Sequence, residues 1–164
     1  MATLYVAVGL PGSGKSTWGN SRENLKVHSS DLIRKELYGS ESIQGDNNII
    51  FDTLNKRIEA DLIAGMDCYY DATSLTASLR KGIINRFRPH ADKIVALYFN
   101  EPIEVCKERN SNRERKVPNG VIDKMALRLT PPELNEGFDE IFYKNPIDLI
   151  ENLWYNIIKI KKGD

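Results

Sequence analysis

Cysteine is almost missing from this chain, with Cys68 and Cys106 the only two among 164 residues. They share no C-x-x-C spacing and have no histidine neighbour. That argues against a zinc site and a disulfide scaffold, and fits reduced, partly buried thiols. Net charge is missing too, because 23 Lys and Arg balance 23 Asp and Glu. No global field draws the chain to nucleic acid or a bilayer, so any anion must be held locally. No apolar run approaches the ~20 residues that span a bilayer, and no basic segment followed by a long apolar stretch opens the chain. These absences predict a soluble, cytoplasmic protein with no membrane partner. There are no repeats or low-complexity stretches, and the length suits a single domain, 1–164, with a full core. A homo-oligomer is left open.

What is present begins with Gly9-Leu10-Pro11-Gly12-Ser13-Gly14-Lys15-Ser16, an unbroken G-x-x-x-x-G-K-[ST] after the apolar run Leu4–Val8. A phosphate loop needs glycine where the backbone turns sharply and approaches an anion, so that successive N–H groups and a helix N-terminus converge on phosphates. Gly9, Gly12 and Gly14 supply that freedom, and Pro11, Ser13 and Thr17 complete the nucleotide-binding stretch. Lys15 would reach the terminal phosphates as a point charge, and the Ser16 hydroxyl would take one Mg²⁺ position.

Strand patterns at Leu4–Val8, Leu25–His28, Asp67–Tyr70, Lys93–Phe99 and Glu140–Tyr143 alternate with helical ones. Such alternation predicts an α/β fold, a five-stranded parallel sheet with helices on both faces. Helices are expected from Trp18 onward, over Asp31–Tyr38, Asn48–Gly65, Thr76–Arg88, Pro102–Arg115 and Val121–Leu129, and within Ile147–Ile160. Trp154 and Tyr155 in the last of these are expected as packing anchors. In an open parallel sheet, ligands bind beyond the carboxyl ends of the strands, so the chemistry should sit just after strands.

It does so in this sequence. The second strand runs into Asp31-Leu32-Ile33-Arg34, placing a carboxylate and a guanidinium on one helical turn. Asp31 suits a general base that orients an attacking hydroxyl, and Arg34 suits the grip of a phosphate. The alternative is that Ser30 or Asp31 caps the helix and Asp31 pairs with Arg34 or Lys35. The third strand ends at Asp71, able to hold a Mg²⁺-bound water or the acceptor, or simply to form an Asx turn. No glutamate follows Asp71 and no Asn-Lys-x-Asp motif occurs, so transfer to an organic acceptor is favoured over hydrolysis or a nucleotide-gated switch. Lys107–Lys116 reads KERNSNRERK, with Arg109 and Arg113 on one face of the expected helix. It fits a lid at about 107–120 that carries arginines to a transferring phosphoryl group, or else a solvated face. His28 reads as a core or edge histidine, and His90 has no evident partner.

Taken in order, Gly9–Ser16, Asp31-x-x-Arg34, the Asp71 strand end and Arg109-Asn110-Ser111-Asn112-Arg113 before Val117-Pro118 resemble the 5′-hydroxyl polynucleotide kinase domains of phage and bacterial nucleic-acid repair enzymes. The similarity spans almost the whole chain. Pro131–Ile141, with its Glu136–Glu140 core, looks like the closing segment of the wider group of small ATP-dependent kinases, some of which act on nucleosides or sugars. The resemblance implies a three-layer phosphate-loop kinase fold with a small helical lid, ATP as donor, Mg²⁺, and a DNA or RNA 5′-OH end as acceptor. It further implies that Lys15 and Ser16 bind the ATP phosphates and Mg²⁺, and that Asp31 is the base. Arg34 would hold the acceptor's phosphate, Arg113 the donor phosphates, and Arg109 would stack on adenine.

Overall fold

A computed structural model describes residues 2–144 and 158–161. Five parallel strands form the sheet: β1 (Thr3–Val8), β2 (Lys26–Ser29), β3 (Cys68–Asp71), β4 (Lys93–Phe99) and β5 (Glu140–Lys144). A sixth strand, β6 (Ile158–Lys161), adds antiparallel to β5, with Ile141 opposite Ile160, giving the order β2-β3-β1-β4-β5-β6. Residues 158–160, at the end of the stretch within which a helical segment was expected, therefore lie in a strand, and Ile-Lys-Ile-Lys has the period-two alternation of one. The rest of that expected helix, with Trp154 and Tyr155, lies outside the described residues.

Side-chain alternation along the strands builds a core on each face. Leu4, Val6, Cys68, Tyr70, Ile94 and Ala96 point to one side, where α2 (Ser30–Tyr38), α3 (Asn47–Ile63) and α4 (Ala77–Phe87) contribute Ile33, Ile50, Leu54, Ile58, Leu62, Ile84 and Phe87. Ala7, Tyr69, Val95, Leu97 and Phe99 point to the other, with Trp18 of α1 (Lys15–Asn20) packed on the Tyr69 ring at 5.0 Å between centroids. The three-layer α/β architecture is thus as expected, and both cysteines are free and buried.

The lid differs from the sequence expectation. Helix α5 (Ile103–Ser111) stops four residues before Arg115, and α6 spans Asn119–Arg128. The buried Asn110 explains the early stop. Its amide donates to the Val117 carbonyl at 2.7 Å and accepts from the Val117 N–H at 3.0 Å, which closes residues 111–117 into a compact loop. Ile103, Cys106, Val117, Ile122 and Met125 then pack with Leu10 of the phosphate loop and with Leu75, so the lid base has its own small core.

Behind the loop lies an ion pair invisible in the sequence. Arg80, fully buried, makes a two-pronged contact with Glu136 at 2.7 Å on each prong. It also donates to the carbonyls of Ser74 and Leu75 and to the Thr130 hydroxyl, joining the β3 exit to the closing segment. All its donor nitrogens are engaged, the condition under which a buried guanidinium is tolerated.

Candidate active site

The loop from Gly9 to Gly14 leaves β1 and delivers Lys15 as the first residue of α1. Gly12 and Gly14 sit at φ 81° and 98°, where L-residues are strained. A Cβ on Gly12 would also meet the Cys106 carbonyl of α5 at 2.4 Å, so the turn is pressed against the helix that carries the lid. Pro11 and Ser13 are buried and Thr17 is exposed on α1. The Ser13 hydroxyl, only 1% of that residue being exposed, finds no partner among the described residues. A buried orphan hydroxyl beside converging loop N–H groups is what an anion would satisfy.

Lys15 is buried and donates to the Leu10 carbonyl at 2.7 Å. Burial lowers its pKa to about 8, against the opposing pull of the Asp71 and Asp31 carboxylates. The Ser16 hydroxyl donates to Asp71 Oδ2 at 2.8 Å. Burial raises the Asp71 pKa while Lys15, Ser16 and Arg113 hold the carboxylate in its charged form. A desolvated carboxylate joined to a hydroxyl at the head of the loop is a hard-oxygen pair that fits Mg²⁺. Asp71 is thereby tied to Ser16 at the head of the phosphate loop.

A second cluster of charged side chains comes from α2 and the lid loop. Ser29 caps α2 through Leu32, so neither Ser30 nor Asp31 is the cap. Asp31 pairs with Arg34 Nη1 at 2.7 Å, as one alternative held, and Arg34 also donates to the Gln44 carbonyl and to Asn47. Those contacts use three of its five N–H donors and leave two. Arg115 of the lid, not singled out in the sequence, brings its guanidinium to Asp31 at 2.6 Å. Arg113 lies in the bend after α5, two residues beyond the helix end, where its charge acts on both Lys15 and Asp71. Arg109 remains on α5, its guanidinium 3.7 Å from the buried Glu101 carboxylate. The structure thus gathers Lys15, Ser16, Asp71, Asp31, Arg34 and Arg113, and sets Arg109 beside Glu101.

The histidines lie elsewhere. His28 on β2 pairs with Asp61 of α3 at 2.8 Å, next to buried Cys68, whose thiol burial pushes up to about 12. His90 does have a partner, Glu59 at 3.4 Å. Both pairings join residues far apart in sequence, which no local spacing announces.

A family model described as an AAA domain (AAA_33) matches residues 4–132, most of the chain. The chain belongs to this family. Besides that family match, L-seryl-tRNA(Sec) kinase of Methanococcus maripaludis is 27% identical over 94% of this chain. The chain spans 62% of that relative's length. Among solved structures, a fungal RNA kinase superposes with a TM-score of 0.63 at 16% identity, over 88% of this chain and 38% of that one. A gluconokinase from Sinorhizobium meliloti 1021 gives 0.56 at 18% identity, over 92% of this chain and 87% of that one. These likenesses show the phosphate-loop kinase fold for this AAA domain. Among the described residues no helix is long and apolar enough to cross a membrane.

Proposed function

We propose that this chain is an ATP-dependent kinase that transfers the γ-phosphoryl group to a hydroxyl carried by a nucleic acid, with a DNA or RNA 5′-OH end as the preferred acceptor. The observation that carries this is the Asp31–Arg34 pair beside the phosphate loop, with the Asp31 charge acting on both Lys15 and Asp71. A carboxylate takes the hydroxyl proton as the acceptor oxygen bonds to the γ-phosphorus and the bond to the β–γ bridging oxygen breaks, releasing ADP. Lys15 and the loop N–H groups hold the donor phosphates, and Arg113 meets the charge that builds on the transferring group. Ser16 and Asp71 would hold Mg²⁺, which supplies charge neutralisation on the phosphates. The two unspent N–H groups of Arg34 suit a bidentate grip on the phosphate next to the acceptor hydroxyl.

The 27% match to an L-seryl-tRNA(Sec) kinase favours a second reading, in which the hydroxyl belongs to an amino acid esterified to tRNA. Radiolabelled ATP offered with 5′-OH DNA and RNA oligonucleotides, seryl-tRNA, nucleosides and sugars tests both. Label on the oligonucleotide end is expected. Preferred labelling of seryl-tRNA would establish the second reading, and a sugar or nucleoside outrunning both would make this a small-molecule kinase.

A further inference from the structure

The lid loop hands its two half-buried arginines to different halves of the site. Arg113 acts on Lys15 and Asp71, whereas Arg115 reaches across to Asp31. Arg115 and Arg34 make their close contacts to the same oxygen, Oδ1, at 2.6 and 2.7 Å. Among the described residues nothing donates to Oδ2. A carboxylate oxygen already holding two cations is poorly placed to take a proton, while its neighbour, unbonded, keeps its lone pairs for a hydroxyl. Resting on the reading of Asp31 as the base, we propose that Arg115 is a positioning residue. Together with Arg34 it fixes Oδ1 and turns Oδ2 toward the acceptor, so that the base is oriented only when the lid is down.

The surrounding structure supports this division. Arg34 alone holds Asp31 from within the same helix and cannot report on the lid. Arg115 comes from residues 111–117, the segment that Asn110 closes onto Val117, and so is tied to that loop rather than to α2. The contact is between partly exposed groups, a class of ion pair that contributes little to global stability, so its loss should leave the fold intact.

Steady-state kinetics of Arg115→Gln, Asp31→Asn and the double variant test the assignment. Arg115→Gln should lower kcat about tenfold with the KM for ATP within about twofold, and Arg115→Lys should recover part of the loss. In the Asp31→Asn background, Arg115→Gln should have no further effect, because both act through one carboxylate. A full tenfold loss persisting in that background, or a raised KM for ATP at unchanged kcat, would place Arg115 on the donor phosphates and overturn the proposal. Near-normal turnover of Asp31→Asn alone would instead remove the base assignment beneath it. Limited trypsinolysis reads the contact without any turnover. Asp31→Ala should raise nicking within Arg113–Lys116 severalfold, and unchanged nicking would show that the pair does not hold the lid.

Discussion

The two halves of the site are built from different materials. In the proposed donor half the phosphate loop is mainly backbone, backed by groups hardly exposed at all, namely Ser13, Lys15 and Asp71. The proposed acceptor half consists of side chains alone. Asp31 is 36% exposed and Arg115 24%, and they are held by charge from two separate elements. A backbone cradle admits few alternatives, whereas a carboxylate between two arginines can be retuned by single substitutions. A fixed backbone cradle beside an adjustable charge cluster is the physical content of that contrast.

Removing the proton acceptor should separate the halves most sharply. Asp31→Asn keeps size and leaves the Ser29 cap untouched, so phosphoryl transfer is expected to fall by about 10³-fold while ATP affinity stays within twofold. Rapid-quench kinetics and isothermal titration measure the two, and a loss of only a few-fold would deny Asp31 the role of base. Next comes Lys15→Ala, which should cost about 10²-fold in kcat with the fold intact by circular dichroism. Near-normal turnover at saturating ATP would mean that the loop is not the catalytic phosphate site.

Arg34→Leu addresses the acceptor half alone. A charge-assisted bidentate contact is worth roughly 1.5–3 kcal/mol, so the wild-type preference for a nucleoside 3′-phosphate over the free nucleoside should be on the order of 10- to 100-fold in kcat/KM. The substitution should shrink that preference and spare ATP binding. Equal use of the two acceptors by the wild type would count against a polynucleotide substrate.

The smallest effect is a slope. Lys15 in the free protein titrates at about 8, and bound phosphates favour its charged form, so its pKa is higher in the complex. Binding therefore takes up a proton above pH 8. The affinity for ATP, measured in EDTA above about pH 7, where its terminal phosphate is fully ionised, should be flat up to pH 8 and weaken toward tenfold per pH unit above it. Lys15→Ala should lack this slope.

The same contrast decides what could be read in the sequence. Gly9–Ser16 was legible because a backbone cradle demands glycine at fixed intervals, and Asp31, Arg34 and Asp71 because strand ends locate them. The α5 end was not, because the Asn110–Val117 closure that stops the helix is a tertiary contact. Nor were Arg115 and Arg80. A charge in a basic run looks like any other until the fold brings a carboxylate to it, and Arg80 meets Glu136 from 56 residues away. For β6 a signal existed: Ile158-Lys159-Ile160-Lys161 alternates with period two.

Arg80 carries a consequence for anyone scoring random variants of this protein by activity. It and Glu136 would surface among the inactive clones as clearly as Lys15, although neither touches the phosphate loop in the way Lys15 does. Stranding one charge of a fully buried pair typically costs 3–5 kcal/mol, enough to empty the folded population of a marginally stable domain. Soluble yield would sort the two groups, since Lys15 variants should accumulate as folded protein of low activity and Arg80 variants should vanish from the supernatant.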